Sequence, residues 1–243
     1  MNRIEREKAF HDQRFSGGDD ERKAVDKYYS INNNIVERFH QIIKGYCLNR
    51  NMLEYGCGTG YASQTWVDYG ANLTGIDISP EGIKKAKKNV PKGTFIEMNA
   101  EKMDFQDSMF DIVIGSGILH HLNLKQSLSE LSRVLSDDGN AVFIEPLGHN
   151  PIINLYRWLT PKMRSEDEHP LLNKDIILLS DYFSNVKVEY FTLTSLLAVP
   201  FRNKAFFNKT LNLLRFIDNL IFKVPYFRRF AWIVILHMDS PKK

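Results

Sequence analysis

The sequence predicts an α/β fold with a doubly wound, mostly parallel sheet. First, the short apolar strand at residues 51–53 leads into a loop with glycine at every second position. Second, the apolar run at 72–77 ends in a carboxylate. Third, strand-like and helix-like patterns alternate from residue 51 to residue 146, which is typical of parallel strands joined by crossover helices.

Length and composition are those of one globular α/β domain with additions. The chain has 243 residues, of which 43% are hydrophobic and 25% charged, and its net charge of +3 does not indicate a nucleic-acid partner. Cys47 and Cys57 lack metal-ligand or redox spacing. The charged N-terminus is unlike a signal peptide, and no apolar run reaches the roughly 18 residues of a spanning helix. We therefore expect a cytoplasmic protein.

Residues 1–45 are predicted to form a helical N-terminal cap. A short helix is expected over Glu5–Phe15. Apolar residues from Ile35 to Ile43 recur with helical spacing, so a second, amphipathic helix should end at Gly45 and cover one face of the sheet.

The glycine loop carries the first sign of a ligand site. Gly56, Gly58 and Gly60 follow the first strand, and glycine both permits positive φ and lets a ligand approach the backbone closely. A helix can begin directly afterwards at Tyr61, with its first free N–H groups directed at whatever the loop holds.

Two acidic residues indicate what that ligand is. Asp77 ends the second strand about 20 residues after the loop, where a carboxylate can accept both hydrogen bonds of a ribose diol. Ser79 and Pro80 already supply the cap of the next helix, so Asp77 is available. Glu54, just before the glycines, would repel phosphates. It suits a cationic amino group, such as that of the methionine part of S-adenosylmethionine.

The remaining core elements follow in order. They are a lysine-rich surface helix (80–89), a third strand (94–99), a fourth strand (110–115), a leucine-rich helix (124–135), a turn (137–140) and a fifth strand (141–145). In such a sheet, ligands bind at the carboxyl ends of the strands, and each motif above lies at one of these ends.

These motifs together resemble the S-adenosylmethionine-dependent methyltransferases with a class I, Rossmann-like fold, and the small-molecule, type 11-like members in particular. The acidic residue and G-x-G-x-G of residues 54–60 are similar to the first motif of that family. Asn99-Ala100-Glu101 resembles its Asp-Ala-Glu segment, and residues 116–122 resemble its small-residue turn followed by Leu-His-His-Leu. The resemblance covers about residues 50–146.

The resemblance implies how the rest of the chain is arranged. It implies one domain over 1–243, with a seven-stranded sheet whose last strand is antiparallel. Residues 50–146 would be the cofactor-binding core. Residues 147–243 would supply the substrate side, with a helical insertion at about 195–228 and closing strands at 186–192 and 230–237. The N-terminal segment would act as a lid, in which Tyr28 and Tyr29 are candidate site residues.

The same resemblance implies S-adenosylmethionine as the cofactor. Asn99 replaces the more usual aspartate, but its amide oxygen can still accept a hydrogen bond from the adenine amine. The expected cofactor-binding residues are Glu54, Tyr55, Gly56, Cys57, Gly58, Gly60, Asp77, Ile78, Asn99, Ala100, Glu101 and Ser116.

A methyltransferase of this kind would act on a small molecule, and we expect the acceptor atom to be oxygen in a phenol, quinone, sugar or lipid-like compound. Some members use a histidine of the Leu-His-His run with an acid at the end of strand five. His120 is therefore the expected general base and Glu145 its partner, with His121 and His149 as further candidates and His169 on a later loop. The alternative is that the histidines only brace the helix. Their scattered spacing predicts no metal.

Other functions are less favoured. A nicotinamide oxidoreductase conflicts with the glycine spacing and with Glu54, and the sequence lacks the Asn/Asp-Pro-Pro-aromatic signature of nucleic-acid base methylation. A non-catalytic S-adenosylmethionine-binding protein stays open as an alternative function.

The apolar segment Phe201–Lys223 is expected to be a docked helix or a lid over an apolar acceptor, with peripheral membrane contact as the less favoured alternative. The sequence does not predict the oligomeric state.

Overall fold

The computed structural model describes residues 1–17, 30–160 and 167–243. Tyr28 and Tyr29 lie outside the described residues. Two helices precede the sheet, α1 (Arg3–Ser16) and α2 (Asn33–Lys44). An Asn2–Glu5 capping box begins α1. As its apolar spacing predicts, α2 buries one face against the core.

Seven strands form one sheet in the order β3-β2-β1-β4-β5-β7-β6. All neighbours are parallel except those of the last strand, which is antiparallel to both β5 and β6. The predicted α/β fold is therefore confirmed. The strands are β1 (Asn51–Tyr55), β2 (Asn72–Asp77), β3 (Thr94–Glu97), β4 (Phe110–Ser116), β5 (Leu135–Pro146), β6 (Phe183–Phe191) and β7 (Ile233–Pro241).

Helices cover both faces of this sheet. The helix over Pro80–Asn89 has the predicted bounds, because the Ser79 hydroxyl accepts a hydrogen bond from Gly82 N and Pro80 fits the first turn. The further helices are α3 (Ser63–Asp68), α4 (Pro80–Asn89), α5 (Leu124–Val134), α6 (Pro151–Leu159), α7 (Asn173–Tyr182), α8 (Phe207–Ile221) and α9 (Pro225–Arg228), with 3-10 helices at Leu119–His121 and Thr194–Phe201.

The turn predicted at residues 137–140 is wrong, because these residues belong to β5. That strand already starts at Leu135, and its ladder with β4 shifts register between Phe110 and Ile112. Residues 136–139 have no partner in that ladder, so they bulge out between Leu135 and Asn140, and regular pairing resumes at Asn140. Helices α6 and α7 are also absent from the sequence-based prediction.

Two apolar layers fix the carboxyl edge of the sheet. Met52 and Ile112 pack on the side of α2, whereas Leu53 and Val113 pack on the side of α5. This alternation follows from the two-residue period of a strand. Since both faces are buried, the loops after β1, β2, β4 and β5 start from rigid positions.

The C-terminal insertion docks on the outside of the domain. The buried carboxylate of Asp218 in α8 accepts hydrogen bonds from the backbone and hydroxyl groups of Thr194 and Ser195, so it ties α8 to the preceding 3-10 helix. Leu213, Phe216 and other apolar residues of α8 face outward and are exposed. None of the helices within the described ranges has the length and apolar character of a membrane-spanning segment.

Candidate active site

The carboxyl ends of β1, β2, β4 and β5 open into one cavity of about 1450 Å³. Its walls include the glycine loop, the ends of these strands, one side of α1 and the beginning of β7. Typical small-molecule pockets measure about 300–1,000 Å³, so this cavity is large enough for a nucleotide-sized ligand together with a small acceptor.

The glycine loop needs its glycines. Gly56 and Gly60 adopt φ values of 69° and 74°. A Cβ atom on Gly56 would lie 2.9 Å from Ile118 Cδ1, and one on Gly60 would lie 3.1 Å from Ala86 Cα. Gly56 and Gly58 line the cavity with bare backbone, whereas Gly60 does not line it and allows close packing on Ala86 instead.

Asp77 closes the loop from the end of β2. Its carboxylate accepts hydrogen bonds from Gly58 N at 2.8 Å and from Ser79 N at 2.9 Å. Burial raises the pKa of Asp77, while these two backbone bonds act in the opposite direction. A carboxylate offers about four lone-pair sites, so acceptor capacity remains for a ligand diol. Ile78 also lines the cavity.

Glu54 is a buried carboxylate beneath the loop. One oxygen accepts from the Ser63 hydroxyl and the other from Trp66 Nε1 at 3.1 Å. Burial raises the pKa of Glu54 to about 7, because desolvation disfavours the ionised form. A cationic ligand group at this position would therefore draw a proton off Glu54.

Two residues expected to bind cofactor direct their side chains into the protein. The Tyr55 hydroxyl donates to Ala100 O at 2.5 Å, and its ring packs edge-on against Phe143. Cys57 is buried, burial raises the pKa of its thiol, and its Cβ packs close to Gly75. At these two positions the side chains serve the core, which leaves the backbone for a ligand.

Residues after β3 form the next wall. Asn99, Ala100 and Glu101 line the cavity, and Asn99 Oδ1 accepts from Glu101 N at 2.9 Å. The Glu101 carboxylate accepts from both Asn123 N and the Arg3 guanidinium. The side chain of Glu101 therefore holds α1 against the core.

His120 and Glu145 meet as predicted for neighbouring strand ends. His120 Nδ1 lies 2.7 Å from Glu145 Oε2. The other Glu145 oxygen accepts from Ile118 N at 2.9 Å and from Leu119 N at 2.8 Å, and the residue is fully buried. With Nδ1 directed at the carboxylate, Nε2 is the nitrogen that remains for an acceptor. Ser116 lies in the wall beside this pair.

Both histidines of the His-His pair line the cavity. The segment is a 3-10 helix, and the rings of His120 and His121 lie 4.3 Å apart between centroids. His149 does not line the cavity among the described residues. Hydrogen bonds from Leu147 N to Trp232 O and from Gly148 N to Leu171 O direct the chain away before it.

The N-terminal segment was expected to act as a lid, but the residues by which α1 contacts the cavity were not predicted. Arg3, Glu7, His11 and Phe15 all line the cavity, and Phe15 packs over the glycine loop. Glu7 and His11 are four residues apart in a helix that was predicted, so their common face was a usable signal. Their contact with His121, which follows β4, could not be predicted, because a contact between residues about a hundred positions apart leaves no local pattern in the sequence.

The segment Phe201–Lys223 does not line the cavity. Of the two expected forms, a docked helix or a lid over an acceptor, the structure matches the docked helix, which is α8. The C-terminal third contributes other residues to the wall instead: Ile153, Tyr156, Arg157, Glu168, Trp232 and Ile233.

Comparison with known proteins agrees with this geometry. The model of the methyltransferase domain family matches residues 53–143. Demethylmenaquinone methyltransferase of Chlorobaculum tepidum is 39% identical over 98 residues, which cover 40% of each chain. An uncharacterised methyltransferase of Synechocystis sp. is 32% identical over 121 residues, covering 47% of this chain and 57% of that protein. This chain spans about half the length of the curated relatives it matches.

Solved structures share the fold at low identity. Phosphoethanolamine N-methyltransferase 2 of Haemonchus contortus, in complex with S-adenosylmethionine, has a TM-score of 0.63 and 16% identity, covering 96% of this chain and 60% of that one. The PH0226 protein of Pyrococcus horikoshii has a TM-score of 0.57 and 19% identity, with 86% and 91% covered. Residues 53–143 therefore match the methyltransferase domain family, and the solved structures share the fold of the chain.

Proposed function

We propose that this protein transfers a methyl group from S-adenosylmethionine to an oxygen atom of a small molecule. The observation that carries the proposal is the buried His120–Glu145 pair, which opens into the same cavity as the glycine loop and Asp77. A histidine held by a carboxylate is suited to take a proton from a hydroxyl group.

The residues present fit the cofactor. Bare backbone at the glycine loop, the Asp77 carboxylate and the Glu54 carboxylate match the carboxyl-and-amino end and the ribose of S-adenosylmethionine. When bound, the cofactor supplies an electrophilic methyl group on a positively charged sulfur. Asn99 and its neighbours form the wall that would take the adenine.

The chain's own groups then handle the proton. His120 Nε2 would take the proton of an acceptor hydroxyl, to which bound S-adenosylmethionine would supply the methyl group. Glu145 stabilises the resulting imidazolium and fixes the ring, because its second oxygen is held by two backbone N–H groups. The cavity limits water at His120, which is 7% exposed.

Relatives named for O-methyl transfer support oxygen as the acceptor atom. Ubiquinone biosynthesis O-methyltransferase of Bordetella avium is 30% identical over 116 residues. Malonyl-[acyl-carrier protein] O-methyltransferase of a Buchnera aphidicola subspecies is 27% identical over 133 residues. Each covers about half of this chain, so they support the reaction type and leave the acceptor itself to experiment.

The test is a methyl-transfer screen with methyl-labelled S-adenosylmethionine. Phenols, quinols, sugars and hydroxylated lipids form one panel, and amines of matched shape form the other. We expect label in hydroxyl compounds only, together with calorimetric binding of S-adenosylmethionine and none of NADH. Label that enters amines alone, or cofactor binding without transfer to any acceptor, contradicts the proposal.

Cofactor affinity should depend on pH through Glu54. The cationic ligand requires the ionised carboxylate, whose pKa burial raises to about 7, so binding releases a proton and strengthens as pH rises through that value. At pH 6 roughly a tenth of Glu54 is ionised, so affinity should be about tenfold weaker than at pH 8. Calorimetry at the two pH values measures this. The Glu54→Gln variant should bind S-adenosylmethionine weakly at both pH values. Equal affinities of the wild type at pH 6 and pH 8 would exclude a contact between Glu54 and the cationic group of the cofactor.

We further propose that the outer face of α8 and α9 rests on an anionic membrane surface. Phe216 and Tyr226 are each 59% exposed, and Leu213 is 60% exposed. The only acid between residues 195 and 230, Asp218, is buried, so the charges on this face are basic. Apolar side chains flanked by lysine and arginine suit an anionic lipid surface. The exposed basic residues are Arg202, Lys204, Lys209 and Lys223.

Vesicle flotation tests this surface. The protein should float with phosphatidylserine-containing vesicles at low salt and be released at high salt, because screening weakens the charge contacts. Leu213→Ser with Phe216→Ser should abolish flotation. Ile177→Ser, at an exposed apolar residue of α7, is the matched control and should not. No flotation at low salt would refute membrane contact.

A further inference from the structure

Three ligand-type side chains converge where α1 meets the end of β4. Glu7 Oε2 lies 3.4 Å from His11 Nε2 and 3.2 Å from His121 Nδ1. One ligand atom from each residue lies within 4.8 Å of the other two. Glu7 and His121 are buried and His11 is nearly so, which makes this a cluster inside the cavity wall.

The two separations from Glu7 Oε2 to the ring nitrogens match those between ligands of a tetrahedral metal ion. Metal–ligand bonds of about 2.0–2.1 Å place neighbouring tetrahedral ligands about 3.3 Å apart. His121 Nδ1 is buried and makes no hydrogen bond within the described residues, although Glu7 Oε2 is 3.2 Å away. A buried ring nitrogen so close to a carboxylate, without hydrogen-bond alignment, suggests that both point at a shared centre.

We propose that Glu7, His11 and His121 bind a divalent transition-metal cation. Two imidazoles and a carboxylate suit Zn²⁺, Co²⁺ or Fe²⁺ and leave a fourth position open for a substrate atom. This inference departs from the sequence-based expectation of no metal. That expectation considered histidines after residue 119 and not the pair on α1.

The cation would lie beside the proposed general base. The ring of His120 stacks 4.3 Å from that of His121, and Glu168 has a carboxylate oxygen within 4.8 Å of both rings' ligand atoms. An acceptor hydroxyl at the open position would become more acidic. Its proton would pass to His120 as the oxygen bonds to the methyl carbon. This role rests on the proposed function, whereas cation binding itself does not.

A protonated histidine paired with Glu7 is the competing explanation for the cluster, and metal titration separates the two. The full-length protein is dialysed against EDTA and titrated with Co²⁺ alone, whose visible absorption reports ligand number and geometry. We expect one equivalent to bind with the intense absorption of a four-coordinate site. His11→Gln and Glu7→Gln should each weaken binding by at least about 100-fold, since even outer-shell changes cost about 10–100-fold.

His237→Gln is the histidine control, because the ring of His237 contacts Asn140 and not this cluster. It should bind Co²⁺ as the wild type does. Circular dichroism checks that each variant is folded. No Co²⁺ binding, or equal affinity in the wild type and both cluster variants, would overturn the site.

Calorimetry with S-adenosylmethionine on the same metal-free preparation distinguishes failure of the metal-site proposal from failure of the proposed function. Intact cofactor binding without Co²⁺ binding refutes only the metal site. Co²⁺ binding that the cluster variants lose, in a protein that transfers no methyl group, supports the site and contradicts the proposed function.

Discussion

Replacing His120 by asparagine should lower turnover by about 10²–10⁴-fold while cofactor affinity changes little. This is the usual range for loss of a general base. Asparagine keeps a polar group beside Glu145 but cannot take the acceptor's proton. Single-turnover rates, with calorimetry of S-adenosylmethionine, measure both effects.

Two further histidine variants assign the effect. His149→Asn is the matched control, because His149 lies outside the cavity wall, and it should keep wild-type turnover. Glu145→Gln should lower turnover with little change in cofactor affinity, because the amide no longer stabilises imidazolium. A near-normal rate in His120→Asn with a large loss in His121→Asn would move the role to His121. Near-normal rates in both would mean that positioning alone carries the reaction.

Replacing Asp77 by alanine should weaken S-adenosylmethionine binding by about 1.5–3 kcal/mol, the usual scale for hydrogen bonds to a charged group. This corresponds to roughly 10–150-fold in the dissociation constant. The change removes the proposed ribose acceptor and also frees Gly58 N, so loop geometry contributes to the loss. Calorimetric titration with the cofactor measures it directly.

Asp77→Asn separates the two contributions, because the amide keeps one oxygen acceptor for Gly58 N but loses the charge. The affinity of Asp77→Asn for S-adenosylmethionine should lie between those of the wild type and Asp77→Ala. Asp68→Ala removes an exposed acid on α3 and should leave the affinity unchanged. Unchanged affinity in Asp77→Ala would rule out its assignment to the cofactor.

The core of the fold was predictable because its signals are local. The strand from Phe110 is a continuous apolar run, and the glycine loop requires backbone conformations that other residues adopt at a cost. His120 and Glu145 could be paired in advance because the carboxyl ends of neighbouring parallel strands lie side by side. These features follow from short stretches of sequence together with the rule that parallel strands end at the same edge of a sheet.

The errors arose where distant contacts decide the structure. Asp137 and Asp138 look like a turn, but they lie within the bounds of β5, at the register shift where its pairing with β4 passes from Leu135 to Asn140. The spacing of apolar residues in Phe201–Lys223 predicts a helix with one apolar face. It does not predict whether that face lines a cavity or lies on the protein surface. The meeting of Glu7 with His121 depends on how α1 docks, which no local pattern encodes.

The docking of α1 has a kinetic consequence. Its one buried residue is Glu7, and charged contacts hold it: Arg3 with Glu101, Arg6 with Asp167 and Lys8 with Glu97. The Arg6–Asp167 and Lys8–Glu97 pairs are partly exposed and contribute little stability, whereas the strands beneath are buried on both faces. The helix can therefore detach at a free-energy cost well below that of unfolding the sheet. Ligand residence times should be set by this local opening, and they should shorten as ionic strength rises.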